Sequence, residues 1–354
     1  MNQPLRVAVV GGGVGQQHVS AFQQLPEQFE VLAICDTNID RAQAAAANHN
    51  VPRVATDIVQ LCQMSELDVI DICTPPHLHF EQIQQVLAAG KHAICEKPLV
   101  GSLKEVDELM RVEAESGKRV MPIFQYRFGQ GLQKLKFLVD HGLAGRAYVT
   151  TVETAWRRRA DYYAVPWRGK WKTELGGTLL SHTSHTLDML YYILGPVKSV
   201  FARTATRVNP IEVEDCASVS LEMADGSLAS LIATLGSVPE ISRHRFCFSG
   251  FTAESNTQPY DNSKDPWTFT PDSPALSQQI EQSLSQFVPL PERFTGQFYR
   301  FYQALVHDTE LPVTLRDAHA SLELVTAMYH SAFTGQVVDL PIGPDHQRYA
   351  GWLP

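Results

Sequence analysis

The chain has 354 residues, 44% of them hydrophobic and 19% charged; this length suggests two domains and this composition an ordinary globular protein. A net charge of -9 argues against a nucleic-acid surface or an anionic membrane as the main partner, and no apolar run is long enough to span a bilayer. The six cysteines form no C-x-x-C pair and several fall in predicted strands, so they read as buried thiols in a reducing compartment; with no room for a signal peptide before the first strand, the expected location is cytoplasmic.

Leu5 to Val10 reads as a short apolar strand, followed by Gly11-Gly12-Gly13-Val14-Gly15 and a helix through Gln24. Glycines there let the backbone turn sharply and approach a pyrophosphate at the helix N-terminus. Gly11, Gly13 and Gly15 fit a turn one residue shorter than G-x-G-x-x-G, since Gln16 stands where the third glycine belongs. The next strand, Phe29 to Cys35, ends in Asp36, about 20 residues past the glycines, where an acid meets the adenosine ribose hydroxyls. A carboxylate there repels a 2'-phosphate and no arginine follows at once, Arg41 coming a turn or more later, so NAD is expected over NADP. Asp36 also reads as a helix cap with Thr37 and Asn38.

A helix over 57–64 and a strand over 67–73 lead to Thr74-Pro75-Pro76-His77-Leu78-His79, whose prolines force an extended loop at a strand's carboxyl end. This places Thr74, Pro75 and His79 by the nicotinamide half of a dinucleotide; a metal on His77 and His79 lacks a third ligand. After a helix over 80–89, Ala93 and Ile94 run into Glu96-Lys97, and Pro98 stops the strand there. Lys97 is then a cation on rigid backbone beside a cofactor cleft, against the plain alternative of a solvated Glu-Lys pair. Ser102 and Glu105 form a capping box for a helix to Ser116, and a strand over 119–124 closes the series.

The runs Asp71-Ile72-Cys73-Thr74-Pro75-Pro76-His77-Leu78-His79, Ala88-Ala89-Gly90-Lys91-His92 and Glu96-Lys97-Pro98-Leu99 resemble the glucose–fructose oxidoreductase / inositol dehydrogenase (Gfo/Idh/MocA) family. The resemblance implies an N-terminal doubly wound Rossmann domain over 1–124. It also implies a substrate-binding and oligomerisation domain over 125–354, α+β with a large, mostly antiparallel open sheet. It extends through Gln125-Tyr126-Arg127-Phe128 and covers most of the chain to about Gly195. It further implies that Gln125 meets the nicotinamide amide, that Glu96 helps to position Lys97, and that Trp167-Arg168 lies beside the cofactor.

In the second half a helix over 130–141 and a strand over 145–156 precede a segment holding three of the five tryptophans among six basic residues, from Trp156 to Lys172. Aromatic rings with Arg and Lys donors suit a sugar face or an anionic ligand group, or else a surface packed on the sheet or on a neighbouring subunit. Gly176 and Gly177 then lead into Ser181-His182-Thr183-Ser184-His185 and Asp188. At helical spacing Ser181, His185 and Asp188 share a face, with His185 suited to take a hydroxyl proton and Asp188 to orient it. Zinc on His182 and His185 lacks a third ligand, and no metal is expected. The pattern of the family is G-G-G-x-L-x-D-x-G-x-H-x-x-D. His185 and Asp188 keep it, while Leu175, Ser181 and Thr183 depart from it, and Ser181 replaces an acid that binds the substrate hydroxyl. His182 is a stand-in candidate.

Alternating stretches from 199 to 248 read as antiparallel strands. Residues 253–290, rich in Pro, Ser, Gln and Asn, read as a long loop with some helix, a candidate lid. Two helices follow, over 293–306 and 315–333, and then an extended tail whose Arg348, Tyr349 and Trp352 are candidates for docking on a neighbour.

The sequence therefore points to an NAD-dependent oxidoreductase interconverting a secondary alcohol and a ketone on a sugar, cyclitol or related polyol. Lys97 and His185 are its catalytic pair and, with Ser181 and His182, bind the substrate; Gly11, Gly13, Val14, Asp36, Thr74, Pro75, His79, Glu96, Lys97, Gln125, Trp167 and Arg168 are the cofactor-binding candidates. An open sheet implies a homodimer or homotetramer. The alternatives are a redox-neutral NAD-dependent glycosidase and a dinucleotide-binding regulator without catalysis.

Overall fold

A computed structural model of the chain describes residues 3–354 and divides them into two compact units, 3–123 with 294–319 and 124–293 with 320–354. The first unit alternates strand and helix: β1 (Leu5–Val10), α1 (Gly15–Gln23), β2 (Phe29–Cys35), α2 (Ile39–His49), β3 (Arg53–Ala55), α3 (Ile58–Cys62), β4 (Val69–Ile72), α4 (His79–Ala88), β5 (His92–Cys95), α5 (Leu103–Ser116) and β6 (Val120–Pro122). The six strands are parallel in the order β3-β2-β1-β4-β5-β6. The chain reverses its winding between β1 and β4, which are neighbours in the sheet, so the loops after these two strands open the crevice where an α/β sheet takes a ligand. Every residue of β4 is buried, as expected of a central strand covered on both faces. Ser102 caps α5 by accepting from the Glu105 N–H, and the Glu105 carboxylate reaches back to the Gly101 N–H.

The second unit carries α6 (Gln130–Asp140), β7 (Ala147–Arg157), two single turns α7 (Ala160–Tyr163) and α8 (Trp171–Glu174), α9 (Ser184–Leu194), β8 (Val197–Ala205), β9 (Cys216–Met223), β10 (Leu228–Thr234), β11 (Gly236–Phe248), β12 (Phe251–Glu254), β13 (Thr268–Pro271) and α10 (Pro274–Leu284). Beyond these come α11 (Arg293–His307), α12 (Leu315–Thr334) and β14 (Val338–Asp339). Its eight strands run β13-β12-β11-β7-β10-β9-β8-β14, antiparallel except for the β7–β10 pair. The expected architecture, a parallel Rossmann sheet followed by a large, mostly antiparallel one, is the one observed.

Three expectations change. The polar stretch 253–290 is no lid-like loop: β12 and β13 extend the sheet at one edge, and Asn262, Ser263 and Trp267 are buried. Short edge strands need little apolar sequence, which is why composition hid them. Trp352 does not reach for a neighbour; it is fully buried in its own unit, its indole N–H donating to the Leu175 carbonyl. The chain also returns to its first unit late: residues 294–319 lie there, with Phe298 stacked on Phe22 at 4.0 Å and 8° and Gln297 donating to the Pro122 carbonyl. Burying a phenylalanine such as Phe298 stabilises this attachment by about 2–3 kcal/mol. Among the described residues no helix is long and apolar enough to cross a membrane.

Candidate functional site

The turn between β1 and α1 is built for close approach. Gly11 has φ +106°, and a Cβ there would lie 2.5 Å from the Cys73 carbonyl oxygen, so glycine is required. A Cβ on Gly15 would lie 2.8 Å from a Val9 methyl, so this glycine seats α1 on β1. At Gly13 a side chain would meet nothing within 4 Å, and Val14 beside it is exposed. The turn thus presents bare backbone outward at a helix N-terminus, the arrangement that receives a pyrophosphate.

Asp36, at the end of β2, is buried and faces that turn. Its Oδ2 accepts the Gly12 N–H at 2.7 Å and its Oδ1 the Asn38 N–H at 2.9 Å. Arg41 comes back from the first turn of α2 and clasps both oxygens, Nε to Oδ2 at 2.7 Å and Nη2 to Oδ1 at 2.6 Å. The arginine that seemed too distant along the chain is therefore Asp36's partner, because one helical turn returns it to the strand end. Burial pushes the Asp36 carboxyl up, but Arg41 and the two N–H donors hold it below its ordinary value. The cap of α2 is Asn38, whose side chain accepts from the Arg41 N–H.

After β4, the Thr74 hydroxyl donates to Gln82 Oε1 at 2.6 Å and Pro75 is extended. The His79 ring staples this loop to the next: Nε2 lies 2.8 Å from the Thr74 carbonyl and Nδ1 2.9 Å from that of Pro98. After β5, Glu96 is buried and its Oε2 accepts the Lys97 N–H at 2.9 Å; Lys97 is half-buried. Below them a group unmarked in sequence converges. His18 of α1 lies between Asp71 of β4, at 2.8 Å, and Glu96, at 3.2 Å, with the Cys73 thiol 3.4 Å away. His18, Asp71 and Cys73 are the only group among the described residues whose ligand atoms cluster as for a metal, and hydrogen bonds close the group on itself.

In the second unit, His185 is buried in the first turn of α9 with the Tyr126 ring stacked on it. Ser181 does not share the α9 face, because a π-turn over Thr178–His182 precedes that helix. The Asp188 carboxylate is held by the Arg127 guanidinium through bonds of 2.6 to 3.0 Å, both groups buried. The carboxylate missing at 181 is nevertheless close by: the Ser181 hydroxyl donates to Glu174 Oε1 at 3.2 Å, and Glu174 is buried. Arg168 approaches the same oxygen at 3.5 Å and lies over the rings of Tyr162, at 3.9 Å, and Trp167, at 4.3 Å. His182 lies among Trp156, at 5.6 Å, and Tyr162, at 5.7 Å. Gln125 is buried with its Oε1 lacking a hydrogen-bond partner among the described residues, a vacancy that suits an amide donor. Glu214 ties the turn down by accepting from the N–H groups of Gly177 and Leu179 and from the Tyr329 hydroxyl. Arg157, Arg158 and Arg159, with Tyr162 and Glu240, line a cleft of about 470 Å³.

Sequence comparison matches residues 5–124 to the NAD-binding Rossmann fold of an oxidoreductase family and residues 132–252 to the GFO/IDH/MocA C-terminal domain. D-glucoside 3-dehydrogenase of Escherichia coli is 27% identical, over 96% of this chain and 98% of its own. An uncharacterised oxidoreductase of Synechocystis is 30% identical over 62% of this chain, a match spanning 63% of that relative's length. The solved structure of the WlbA dehydrogenase from Bordetella pertussis, in complex with NADH and UDP-GlcNAcA, is similar with a TM-score of 0.84 at 29% identity, over 96% of this chain and 100% of that one. With both domain models matched in order on a parallel sheet and a mostly antiparallel one, the chain belongs to the GFO/IDH/MocA family of NAD-binding oxidoreductases.

Proposed function

We propose that the protein interconverts a secondary alcohol and a ketone on a sugar, cyclitol or related polyol, using NAD in preference to NADP. The observation that carries this reading is the setting of Lys97: a half-buried lysine at the carboxyl end of β5, its main chain pinned by the Glu96 carboxylate. The bound dinucleotide supplies a nicotinamide ring that takes up or returns the hydride. Lys97 donates a hydrogen bond to the reacting oxygen and stabilises the charge that develops on it. His185 takes the hydroxyl proton, its imidazole held in plane by Tyr126. Gly11, Gly13, Val14 and Asp36 hold the adenosine and pyrophosphate half, while Thr74, Pro75 and His79 shape the next loop. Gln125 Oε1 accepts from the carboxamide, with Trp167 and Arg168 as further contacts. Ser181, backed by Glu174, and His182 bind the sugar.

The relatives support this substrate class: one is named a glucoside dehydrogenase, and another is seen with NADH and a sugar nucleotide. A homodimer or homotetramer fits the uncovered face of the larger sheet, where Val149, Leu228 and Ile232 are exposed together. A cytoplasmic location fits six free thiols.

The test is the near-ultraviolet absorbance of reduced nicotinamide with purified protein, NAD and a panel of sugars, polyols and cyclitols. Reduction that disappears in Lys97→Ala supports a dehydrogenase. Silence across the panel despite NAD binding, together with cleavage of a glycoside, overturns it in favour of redox-neutral chemistry.

A further inference from the structure

We propose that His18 is a positioning residue: it holds the Glu96 carboxylate against the main chain of Lys97 and through it sets the charge environment of the Lys97 ammonium. The proposal rests on the reading of Lys97 given above. Three elements meet here. His18 comes from α1, Asp71 from β4 and Glu96 from the end of β5, and the His18 and Asp71 side chains are fully buried. His18 Nδ1 lies 2.8 Å from Asp71 Oδ2 and Nε2 lies 3.2 Å from Glu96 Oε1. The other oxygen of Glu96 accepts the Lys97 N–H at 2.9 Å. Glu96 therefore has one oxygen on the imidazole and one on the residue that does the chemistry.

Charge counting sharpens the role. Ionised carboxylates only accept hydrogen bonds, so His18 bonds both acids either as an imidazolium or by sharing a proton that one acid keeps. Both arrangements leave the three groups with one proton more than their exposed counterparts hold at pH 7. Water is kept off by Phe294, 4.3 Å from the His18 ring, and Phe298, at 5.4 Å. Burial alone would lower the imidazole's pKa, but Asp71 and Cys73 raise it well above its ordinary value. Burial would raise Glu96; His18 and Lys97 hold it low instead.

The other titratable groups around Glu96 are Asp71, Cys73, Cys95 and His79. Burial pushes the Cys73 thiol up to about 12 and Cys95 also upward, so neither carries charge at neutral pH. His79 faces backbone carbonyls with both ring nitrogens. Asp71 Oδ1 is buried without a hydrogen-bond partner among the described residues, and its Oδ2 is met by His18 at 2.8 Å and by the Cys73 thiol at 3.7 Å, so His18 is the nearer of its two donors. His18 is thus the group that bonds both Glu96 and Asp71 beneath Lys97.

The test needs no substrate, which keeps it separate from the identity of the sugar. The full-length protein is labelled competitively with acetic anhydride across pH, and the Lys97 peptide is read by mass spectrometry. Glu96→Gln removes a negative charge and keeps a carbonyl oxygen for His18; the Lys97 titration midpoint should fall by about one pH unit. His18→Gln removes the imidazole and with it the extra proton the three groups hold, and the midpoint should rise. NADH binding, followed by fluorescence, should stay within about threefold in His18→Gln. Opposite shifts support the proposal, since a residue that only filled space would not move the two midpoints apart. An unmoved midpoint in folded His18→Gln overturns it. Should that variant not fold, Glu96→Gln decides alone, and an unmoved midpoint there overturns it equally.

Discussion

The phenol ring of Tyr126 lies flat on the imidazole of His185, centroids 4.4 Å apart and planes 5° from parallel. Stacking restrains the imidazole's tilt. His185→Ala is expected to lower kcat by about 10²–10⁴-fold, the usual worth of a positioned base. Tyr126→Leu, which keeps bulk but loses the aromatic face, is expected to cost about tenfold, with the KM for NAD unchanged. Steady-state kinetics with NAD varied at saturating substrate read both parameters, and equal kcat in wild type and His185→Ala would refute the role.

Lys97→Ala should lower kcat by orders of magnitude while calorimetric NAD affinity stays within about threefold, because the ammonium acts on the reacting oxygen. A matching collapse of NAD affinity would mean that the lysine serves binding rather than chemistry.

Asp36 and Arg41 together define the expected cofactor choice. The acid repels a 2'-phosphate and also engages the guanidinium that would greet one. Asp36→Ser releases Arg41, and the preference for NAD over NADP, as the ratio of kcat/KM values, should fall by about 10–100-fold. An unchanged ratio would show that the ribose is read elsewhere.

Glu214 sits in a buried position that pushes its carboxyl up to about 7, although the N–H groups of Leu179 and Gly177 and the Tyr329 hydroxyl pull it down. A folded-state pKa above the unfolded one contributes stability that is full below about 4.5 and is lost as pH rises through about 7. Unfolding free energy should therefore decline between pH 5 and pH 8, by up to about 3 kcal/mol from this group. Glu214→Gln should lack that component. Chemical denaturation of both proteins across the range checks it.

The sequence exposed those site residues that interrupt a pattern. Lys97 is visible because Pro98 halts a strand, the glycine turn because helix and strand must join tightly, and Asp36 because it ends a strand at the right interval. Residues whose partners lie far along the chain stayed hidden. His18 is three residues into an ordinary amphipathic helix, and its partners are 53 and 78 positions away. Glu174 meets Ser181 only because a π-turn replaces the regular helix that spacing had suggested. Tyr126 and Arg127 belonged to a recognisable run, yet nothing local indicated that one would stack on His185 and the other hold Asp188. The strands at 251–271 escaped because edge strands with polar composition leave no alternation to read.

The late return of residues 294–319 bears on modularity. Cutting after β6 would not release an autonomous nucleotide-binding module, since Phe22 and His18 would lose the rings of Phe298 and Phe294. The chain thus passes between the two units three times, after residues 123, 293 and 319. Recombination that exchanged the second unit between relatives, in evolution or on the bench, would have to respect all three crossings to leave the His18 cluster dry.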